Sequence, residues 1–150
     1  MAVPRRRFAL ILILIVVAAL SGLTAACSDQ IPTTPSGTPA FSQADLRVGT
    51  GNIAGSTGVL TVNYTGWLFD ASQPDQKGAT FDSTIGGTPF TFNIGAGQVI
   101  QGWDQGIPGM RVGGLRRLII PSSLAYGGTR NGSIPPNATL LFEIELLTVE

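Results

Sequence analysis

The stretch Gly97-Gln-Val-Ile-Gln-Gly-Trp-Asp-Gln-Gly-Ile-Pro-Gly109 decides the fold. Four of its apolar residues recur at the spacing of one face of a short helix: Val99, Ile100, Trp103 and Ile107. Gly97 opens this predicted helix, and Pro108-Gly109 closes it, because proline lacks a backbone donor and glycine tolerates a positive φ. Spacing alone leaves two interpretations of the apolar stripe, plain core or the floor of an apolar pocket.

The residues around this predicted helix have the alternating pattern of β-strands. Strands are expected at 45–49 (a weak signal), 59–69, 90–94, 115–121 and 139–149, with order resuming at 81–84. Residues 70–80 and 122–136 are expected to be loops, and a loop as long as the second is usually functional. A single brief helix among many strands has to be covered by the sheet, since a sheet face must be buried against something.

The composition excludes several kinds of chemistry. The 150 residues predict one domain, and they contain no histidine and a single cysteine, Cys27. Catalysis by Ser–His–Asp or Cys–His, histidine or Cys₄ zinc sites and an internal disulfide are therefore excluded. We expect no metal and no cofactor. Six basic and nine acidic residues follow Cys27, a net charge of −3, so nucleic acid is not an expected partner.

Residues 1–27 have the organisation of a bacterial export signal. Arg5-Arg6-Arg7 precedes an apolar run of 13 residues at 8–20, which is shorter than the ~20 residues of a spanning helix and fits a signal peptide. Leu23-Thr-Ala-Ala-Cys27 resembles the lipobox of bacterial lipoproteins, with Thr24 where Leu or Val is usual. The resemblance implies lipidation at Cys27 and a membrane-anchored, extracytoplasmic protein in the periplasm or cell envelope. The alternative is an uncleaved signal anchor.

Residues 28–43 are expected to be a flexible linker. The segment Gln30-Ile-Pro-Thr-Thr-Pro-Ser-Gly-Thr-Pro39 contains three prolines and no charge, which predicts an extended and mobile chain that gives reach from the bilayer. The folded domain is expected to span 44–150.

Seven sequence blocks follow in order after the linker and carry a family resemblance. They are Val62-Asn-Tyr-Thr-Gly66, Phe81-Asp-Ser83, Pro89-Phe-Thr-Phe92, Val99-Ile-Gln-Gly-Trp103, Ala125-Tyr-Gly127, Ile134-Pro-Pro-Asn-Ala-Thr-Leu140 and Phe142-Glu-Ile-Glu-Leu146. Together they resemble the FKBP family, the FK506-binding peptidyl-prolyl cis-trans isomerases, over roughly residues 45–150. The resemblance implies an α+β fold, a curled antiparallel β-sheet wrapped around one short α-helix, with a pocket between sheet and helix.

The same resemblance implies the residues of the site. The residues expected to act in catalysis are Tyr64, Asp82, Trp103, Tyr126 and Phe142. Those expected to bind substrate are Phe81, Phe90, Val99, Ile100 and Ile134. Trp103 is the expected floor, and the Ile100 N–H and the Tyr126 hydroxyl are the expected donors to bound substrate. Asp82 is expected either to accept a hydrogen bond from Tyr64 or to orient the carbonyl carbon of the substrate. A lone Asp after a Phe is otherwise more often a turn acceptor than a catalyst.

The chain departs from the family pattern at three places. The loop at 70–80 is several residues longer than in the minimal family member, and no Arg lies between Asp82 and Phe90, where the best-known members supply a partner for the Asp. Ser133 stands where an Ile is frequent, in a slightly shortened loop. These departures concern the charge around Asp82, macrolide binding and substrate preference.

Three functions follow from these observations. The first is a membrane-tethered prolyl isomerase for proline-containing unfolded or secreted polypeptides, which the resemblance also connects with FK506- and rapamycin-type macrolides and which we expect to be a monomer. The second is a weakly active or inactive proline-peptide-binding or chaperone module on the membrane. The third is a solute-binding or purely structural lipoprotein whose aromatic residues form core.

Overall fold

Six antiparallel strands form one sheet in the computed structural model, which describes residues 37–150. The predicted signal peptide, Cys27 and most of the predicted linker lie outside the described residues. Within 37–150, no helix is long and apolar enough to cross a membrane. The elements are β1 (Ser42–Arg47), β2 (Gly58–Phe69), β3 (Lys77–Ser83), β4 (Phe90–Ile94), α1 (Gln101–Gly106), β5 (Leu115–Ile120) and β6 (Leu140–Val149).

The central strand of the sheet is β2, which has 12 residues. One edge of β2 pairs with β6, from Leu60 opposite Val149 to Leu68 opposite Leu140. Its other edge is shared by β4, which pairs along the first half, and β3, which pairs along the second. The order β1-β5-β6-β2-β3, with β4 beside β2, confirms the predicted curled antiparallel sheet with one short helix.

The helix is shorter than the apolar stripe that predicted it. Ile100 is extended (φ −63°, ψ 149°), so Val99 and Ile100 precede the helix. The helix ends where the Ile107 N–H donates to the Trp103 carbonyl, and Gly109 (φ +85°) then redirects the chain. The inclusion of Val99 and Ile100 in the helix was therefore wrong, because apolar periodicity cannot distinguish a first turn from an extended residue beside it.

Two glycines allow the helix to lie directly on β5. Gly102 and Gly106 share one face of α1, since they are four residues apart. A Cβ at Gly102 would be 2.4 Å from Ile120 Cγ2, and one at Gly106 would be 2.7 Å from Leu118 Cδ2. Both separations are far below an ordinary carbon–carbon contact of ~3.5–4.0 Å. The close approach fixes α1 against the sheet and orients the neighbouring Trp103.

The core lies between α1 and the sheet and follows the predicted alternation. Leu60 and Val62 of β2 and Ile144 and Leu146 of β6 are fully buried, and each such side chain contributes about 1.5–3 kcal/mol on burial. Leu141 is also fully buried, although alternation places it on the other face of β6.

A buried arginine joins the first strand to the end of the helix. Arg116 of β5 is 6 % exposed, and its guanidinium donates to both Asp45 carboxylate oxygens, at 2.6 and 3.0 Å. It also donates to the Gly106 carbonyl at 2.8 Å, which satisfies an acceptor at the helix end. The Arg116 hydrogen bond is the main cause that lowers the pKa of Asp45.

Two predicted boundaries move. The first strand begins at Ser42, three residues before the predicted start, and Phe41 packs against the core. The predicted loop at 70–80 is wrong for its last four residues, because β3 begins at Lys77. Asp75 and Gln76 have positive φ and return the chain early, so that Lys77 pairs with Phe69.

Candidate active site

A cavity of about 580 Å³ is lined by residues of β2, β3, β4, β6 and α1, of the segment before the helix and of the long loop after β5. Nine of the ten predicted site residues line it: Tyr64, Phe81, Asp82, Phe90, Val99, Ile100, Trp103, Tyr126 and Phe142. Five further residues complete the lining: Gly97, Gln98, Gln101, Ser123 and Ala125. The aromatic residues therefore surround a cavity. They do not form a solidly packed core, which was the other interpretation that the sequence left open.

The Trp103 indole lies at the centre of the aromatic residues. It is 4 % exposed, and its ring centroid lies 5.0 Å from Tyr64 and 5.3 Å from Phe142, at interplanar angles of 82° and 85°. Phe90 lies 6.3 Å away at 73°. Aromatic pairs favour such edge-to-face geometry, so three rings approach the indole from different strands and hold one another in place.

Two more phenylalanines support these rings. Phe81 contacts Phe142 edge-to-face at 5.5 Å, and Phe92 stacks on Phe90 at 5.3 Å while lying 5.6 Å from Trp103. Phe92 was not among the predicted site residues. Its position two residues after Phe90 on a strand was the available signal, because a period of two puts both rings on one face.

Gly66 of β2 makes room for the Phe81–Phe142 pair. A Cβ at this position would lie 2.5 Å from Phe81 Cζ and 2.9 Å from Phe142 Cε1. The two rings therefore cross directly over the backbone of β2, and only glycine at position 66 allows them to lie so close to it.

Asp82 and Tyr64 form a hydrogen-bonded pair at the edge of the cavity, as predicted. The Tyr64 hydroxyl donates to Asp82 Oδ2, and the Ser83 N–H donates to Oδ1 at 2.9 Å. None of the ion pairs within residues 37–150 involves Asp82. Burial, followed by the hydrogen bond and the charge of Asp82, raises the pKa of Tyr64, so this hydroxyl remains protonated at neutral pH.

Tyr126 presents a second hydroxyl to the cavity from the long loop. The residue is 37 % exposed, and its hydroxyl makes no hydrogen bond to another residue in the described part of the chain. Burial is the main cause that raises the pKa of Tyr126, and the Asp82 carboxylate adds to it. The group is therefore a protonated donor that is available to a ligand.

Val99 and Ile100 lie at the rim, in the segment that precedes the helix. The Ile100 carbonyl is occupied by the Trp103 N–H at 2.9 Å. The Ile100 N–H donates to no backbone carbonyl among residues 37–150, which leaves it open to an acceptor in the cavity.

The predicted residue that does not line the cavity is Ile134. Its side chain is 6 % exposed and belongs to the core cluster. The backbone of Ile134 bridges to Asn131, donating at 2.9 Å and accepting at 3.1 Å, and the side chain is buried beneath the loop. The polar lining residues Gln98, Gln101 and Ser123 were missed, and no sequence pattern distinguishes them from ordinary surface residues.

The site has little covalent or metal chemistry available. No group of three or more His, Cys, Asp or Glu in the described residues is placed to hold a metal ion. Asp82 is the only carboxylate in the lining, and both of its oxygens accept hydrogen bonds. The fold and the site thus define a class of protein, a small sheet-and-helix domain with an open cavity walled by aromatic rings.

Comparison with known proteins identifies the family within that class. The sequence profile of the FKBP-type peptidyl-prolyl cis-trans isomerases matches residues 51–147. An FK506-binding protein of Neisseria meningitidis serogroup A is 48 % identical over 107 residues, which are 70 % of this chain and 92 % of that protein. FK506-binding protein 4 of Neurospora crassa is 46 % identical over 106 residues, and the match covers 71 % of this chain but only 21 % of that longer protein.

A solved structure agrees with these matches. The crystal structure of AtFKBP13 superposes with a TM-score of 0.61 at 40 % identity, over 75 % of this chain and 96 % of that one. The chain belongs to the FKBP family of peptidyl-prolyl cis-trans isomerases. The predictions of the family, the fold and an FKBP-type isomerase are confirmed.

Proposed function

We propose that this chain accelerates cis–trans isomerisation of Xaa-Pro bonds in secreted or envelope polypeptides, outside the cytoplasm and from a membrane anchor. The observation that carries the proposal is the cavity itself, with three rings arranged edge-on around the buried Trp103 indole. A pyrrolidine ring is a small apolar group, and a cavity walled by six aromatic rings, with polar groups beside them, is suited to bind it.

The reaction needs neither a nucleophile nor a metal. Amide resonance creates a barrier of ~18–20 kcal/mol to rotation about the C–N bond, and uncatalysed Xaa-Pro exchange takes tens to hundreds of seconds. The planar imide is polarised across oxygen and nitrogen, whereas the twisted imide is less polar. An apolar cavity therefore favours the twisted state over the planar one, which is differential binding of the transition state.

The aromatic residues supply this environment. Trp103, Tyr64, Phe90 and Phe142 surround the proline ring in the proposed complex, and Phe81 supports Phe142 from behind. Each tenfold of acceleration requires ~1.4 kcal/mol, so a few favourable contacts give a useful rate.

The polar groups hold the peptide on either side of the proline. The Ile100 N–H and the Tyr126 hydroxyl are proposed to donate to the flanking carbonyls, since neither has an acceptor within residues 37–150. Val99 is proposed to contact the residue beside the proline at the rim. Asp82 is proposed to orient Tyr64 through their hydrogen bond. Ile134 is proposed to act only by supporting the long loop from within the core.

The proposed location follows from the N-terminal sequence. A basic start, an apolar run of 13 residues and Ala25-Ala26-Cys27 support export, cleavage before Cys27 and lipidation of that cysteine. The proline-rich linker, predicted at 28–43 and shortened to 28–41 because β1 begins at Ser42, then serves as a spacer between the bilayer and the domain. The proposed partners are proline-containing unfolded polypeptides, FK506- or rapamycin-type macrolides and the membrane, with the chain acting as a monomer and nucleic acid not a partner.

The test is the isomerase assay on the full chain purified in detergent, with a Leu-Pro tetrapeptide whose trans form is cleaved by a coupled protease. We expect turnover that Phe142→Ala reduces at least tenfold, because the variant removes one wall of the cavity. Unchanged turnover in Phe142→Ala would place the reaction elsewhere. Macrolide quenching of Trp103 fluorescence without any turnover would indicate a peptide-binding module instead of an isomerase.

A further inference from the structure

The segment at 95–100 connects β4 to α1 and carries the rim of the cavity. None of its backbone N–H groups donates to a backbone carbonyl in the described part of the chain. It also contains two glycines with positive φ, Gly95 at +76° and Gly97 at +69°. Glycine is the residue with the greatest backbone freedom, so something other than the backbone has to fix the path of this segment.

Two hydrogen bonds to side chains connect the segment to its neighbours. Asp104 of α1 accepts from the Gly95 N–H through Oδ1 at 2.9 Å, and Gln98 accepts from the Asn93 N–H through Oε1 at 2.8 Å. The first bond joins the start of the segment to the helix, and the second folds Gln98 back onto the end of β4. Asp104 does not line the cavity, so any effect of this residue on the reaction acts through the backbone it holds.

We propose that Asp104 is a positioning residue for isomerisation, which fixes Gly95 and thereby the direction of the Ile100 N–H. This inference rests on the proposed role of that N–H as a donor to substrate. The Ile100 carbonyl is already fixed by the Trp103 N–H on the helix. The direction of the Ile100 N–H is then set by the backbone path of residues 95–99. Asp104 holds the start of that path through its hydrogen bond with Gly95.

Loss of the hydrogen bond between Asp104 and Gly95 is expected to lower the rate of isomerisation. A donor that is displaced by about 1 Å can lose up to ~100-fold in rate. Because Gln98 still holds the segment in Asp104→Ala, we expect a loss of about tenfold in kcat/KM, mainly in kcat. Asp104→Asn keeps an acceptor oxygen and loses only the charge, so its kcat/KM is expected to stay within about twofold of the parent.

The chain offers a matched control for this variant. Asp70 accepts from the backbone N–H of Ser72 at 2.9 Å, which is the same kind of bond in a turn that does not line the cavity. Asp70→Ala is expected to keep the kcat and KM of the parent while it loses an equivalent backbone hydrogen bond, together with the bond that Asp70 accepts from the Ser72 hydroxyl.

The experiment measures kcat and KM for the Leu-Pro tetrapeptide together with amide hydrogen exchange, on the full chain in detergent. Asp104→Ala is expected to speed exchange at the Gly95 N–H, which this hydrogen bond protects, and to lower kcat, with rescue in Asp104→Asn. A folded Asp104→Ala with kcat/KM within twofold of the parent, or with unchanged exchange at the Gly95 N–H, overturns the proposal. An equal loss in Asp70→Ala also overturns it, because the effect would then be one of general stability.

A second variant covers the case in which Asp104→Ala does not fold. Asp104→Glu keeps the charge and the acceptor but moves the oxygen by one methylene, so a smaller loss of kcat with slightly faster exchange at the Gly95 N–H is expected, and parental values for both would overturn the proposal. If the parent itself shows no turnover, the proposed function fails, whereas the hydrogen-exchange measurement still tests the tether from Asp104 to Gly95.

Discussion

Replacing Gly66 with alanine tests how the aromatic residues create the cavity. The new Cβ would lie 2.5 Å from Phe81 Cζ, 2.7 Å from Phe81 Cε2 and 2.9 Å from Phe142 Cε1. Since ordinary carbon contacts are ~3.5–4.0 Å, the Phe81 ring has to retreat by about 1 Å. Overpacking of this kind costs typically 1–3 kcal/mol, which corresponds to a fall in Tm of roughly 4 °C or more in a domain of this size.

The same displacement should reach the reaction. Phe142 lies 5.3 Å from Trp103, and Phe81 lies 5.5 Å from Phe142, so the rings that move are those that form one wall. We expect Gly66→Ala to lower kcat/KM at least tenfold, or ~1.4 kcal/mol. Urea unfolding gives the free energy of unfolding, and the coupled-protease assay gives the rate.

Two controls separate overpacking from other effects. In Gly55→Ala the nearest atom to the new Cβ is the Thr57 carbonyl oxygen, at 3.4 Å. This variant is expected to change neither stability nor turnover. Gly66→Ala combined with Phe81→Leu removes the atoms nearest the new methyl group, so stability should recover in part while turnover stays low. If Gly66→Ala were as stable and as active as the parent, the rings would not be confined by β2 and the account of the cavity would be wrong.

Three further predictions concern the polar groups. Tyr126→Phe should leave stability unchanged and lower kcat/KM about two- to tenfold, the value of one neutral hydrogen bond; a loss of 100-fold would require a different role. The raised pKa of Tyr64 means that the unfolded chain loses this proton first, so the free energy of unfolding should fall as pH rises above about 10. Tyr64→Phe should flatten that fall in urea titrations, and parallel curves would contradict it. The lowered pKa of Asp45 acts at acid pH. Its contribution to the free energy of unfolding is present above about pH 4 and should be lost as pH falls through the pKa of Asp45 in the folded protein. Asp45→Asn should remove that acid dependence and destabilise by less than the ~3–5 kcal/mol of a fully buried pair, because Asp45 is partly exposed; an unchanged acid limb would refute it.

The sequence predicted most of the sheet because its strands are buried on one face. Leu60 and Val62, like Ile144 and Leu146, alternate with polar residues, and the structure buries all four. The start of β3 could not be found in this way. Lys77 is polar, yet it belongs to a strand because its Nζ lies 2.8 Å from Glu143 and 4.5 Å from the Trp67 ring centroid. Such contacts come from other strands and leave no local pattern.

The lining of the cavity was predicted best where it consists of aromatic side chains. It was predicted poorly where it depends on the geometry of the backbone or of a loop. Nine of the ten residues that the family resemblance implied line the cavity, and four of them are aromatic residues on strands, whose face the alternation also predicts. Ile134 does not line the cavity, because the turn at Asn131 places its side chain in the core. The hydrogen bond that the Asp104 carboxylate accepts from the Gly95 N–H was not predicted either, because nothing in the order of residues indicates it.

The missing arginine between Asp82 and Phe90 changes how charge acts in the cavity. The carboxylate of Asp82 is held by the Tyr64 hydroxyl and the Ser83 N–H but joins none of the ion pairs among residues 37–150. Its uncompensated charge therefore acts on both tyrosines and helps to raise the pKa of each. A guanidinium beside Asp82 would weaken that field. Without it, the Asp82 charge adds to the effect of burial, which is the larger cause of the raised pKa of both tyrosines, and Tyr126 keeps its proton available as a donor to the cavity.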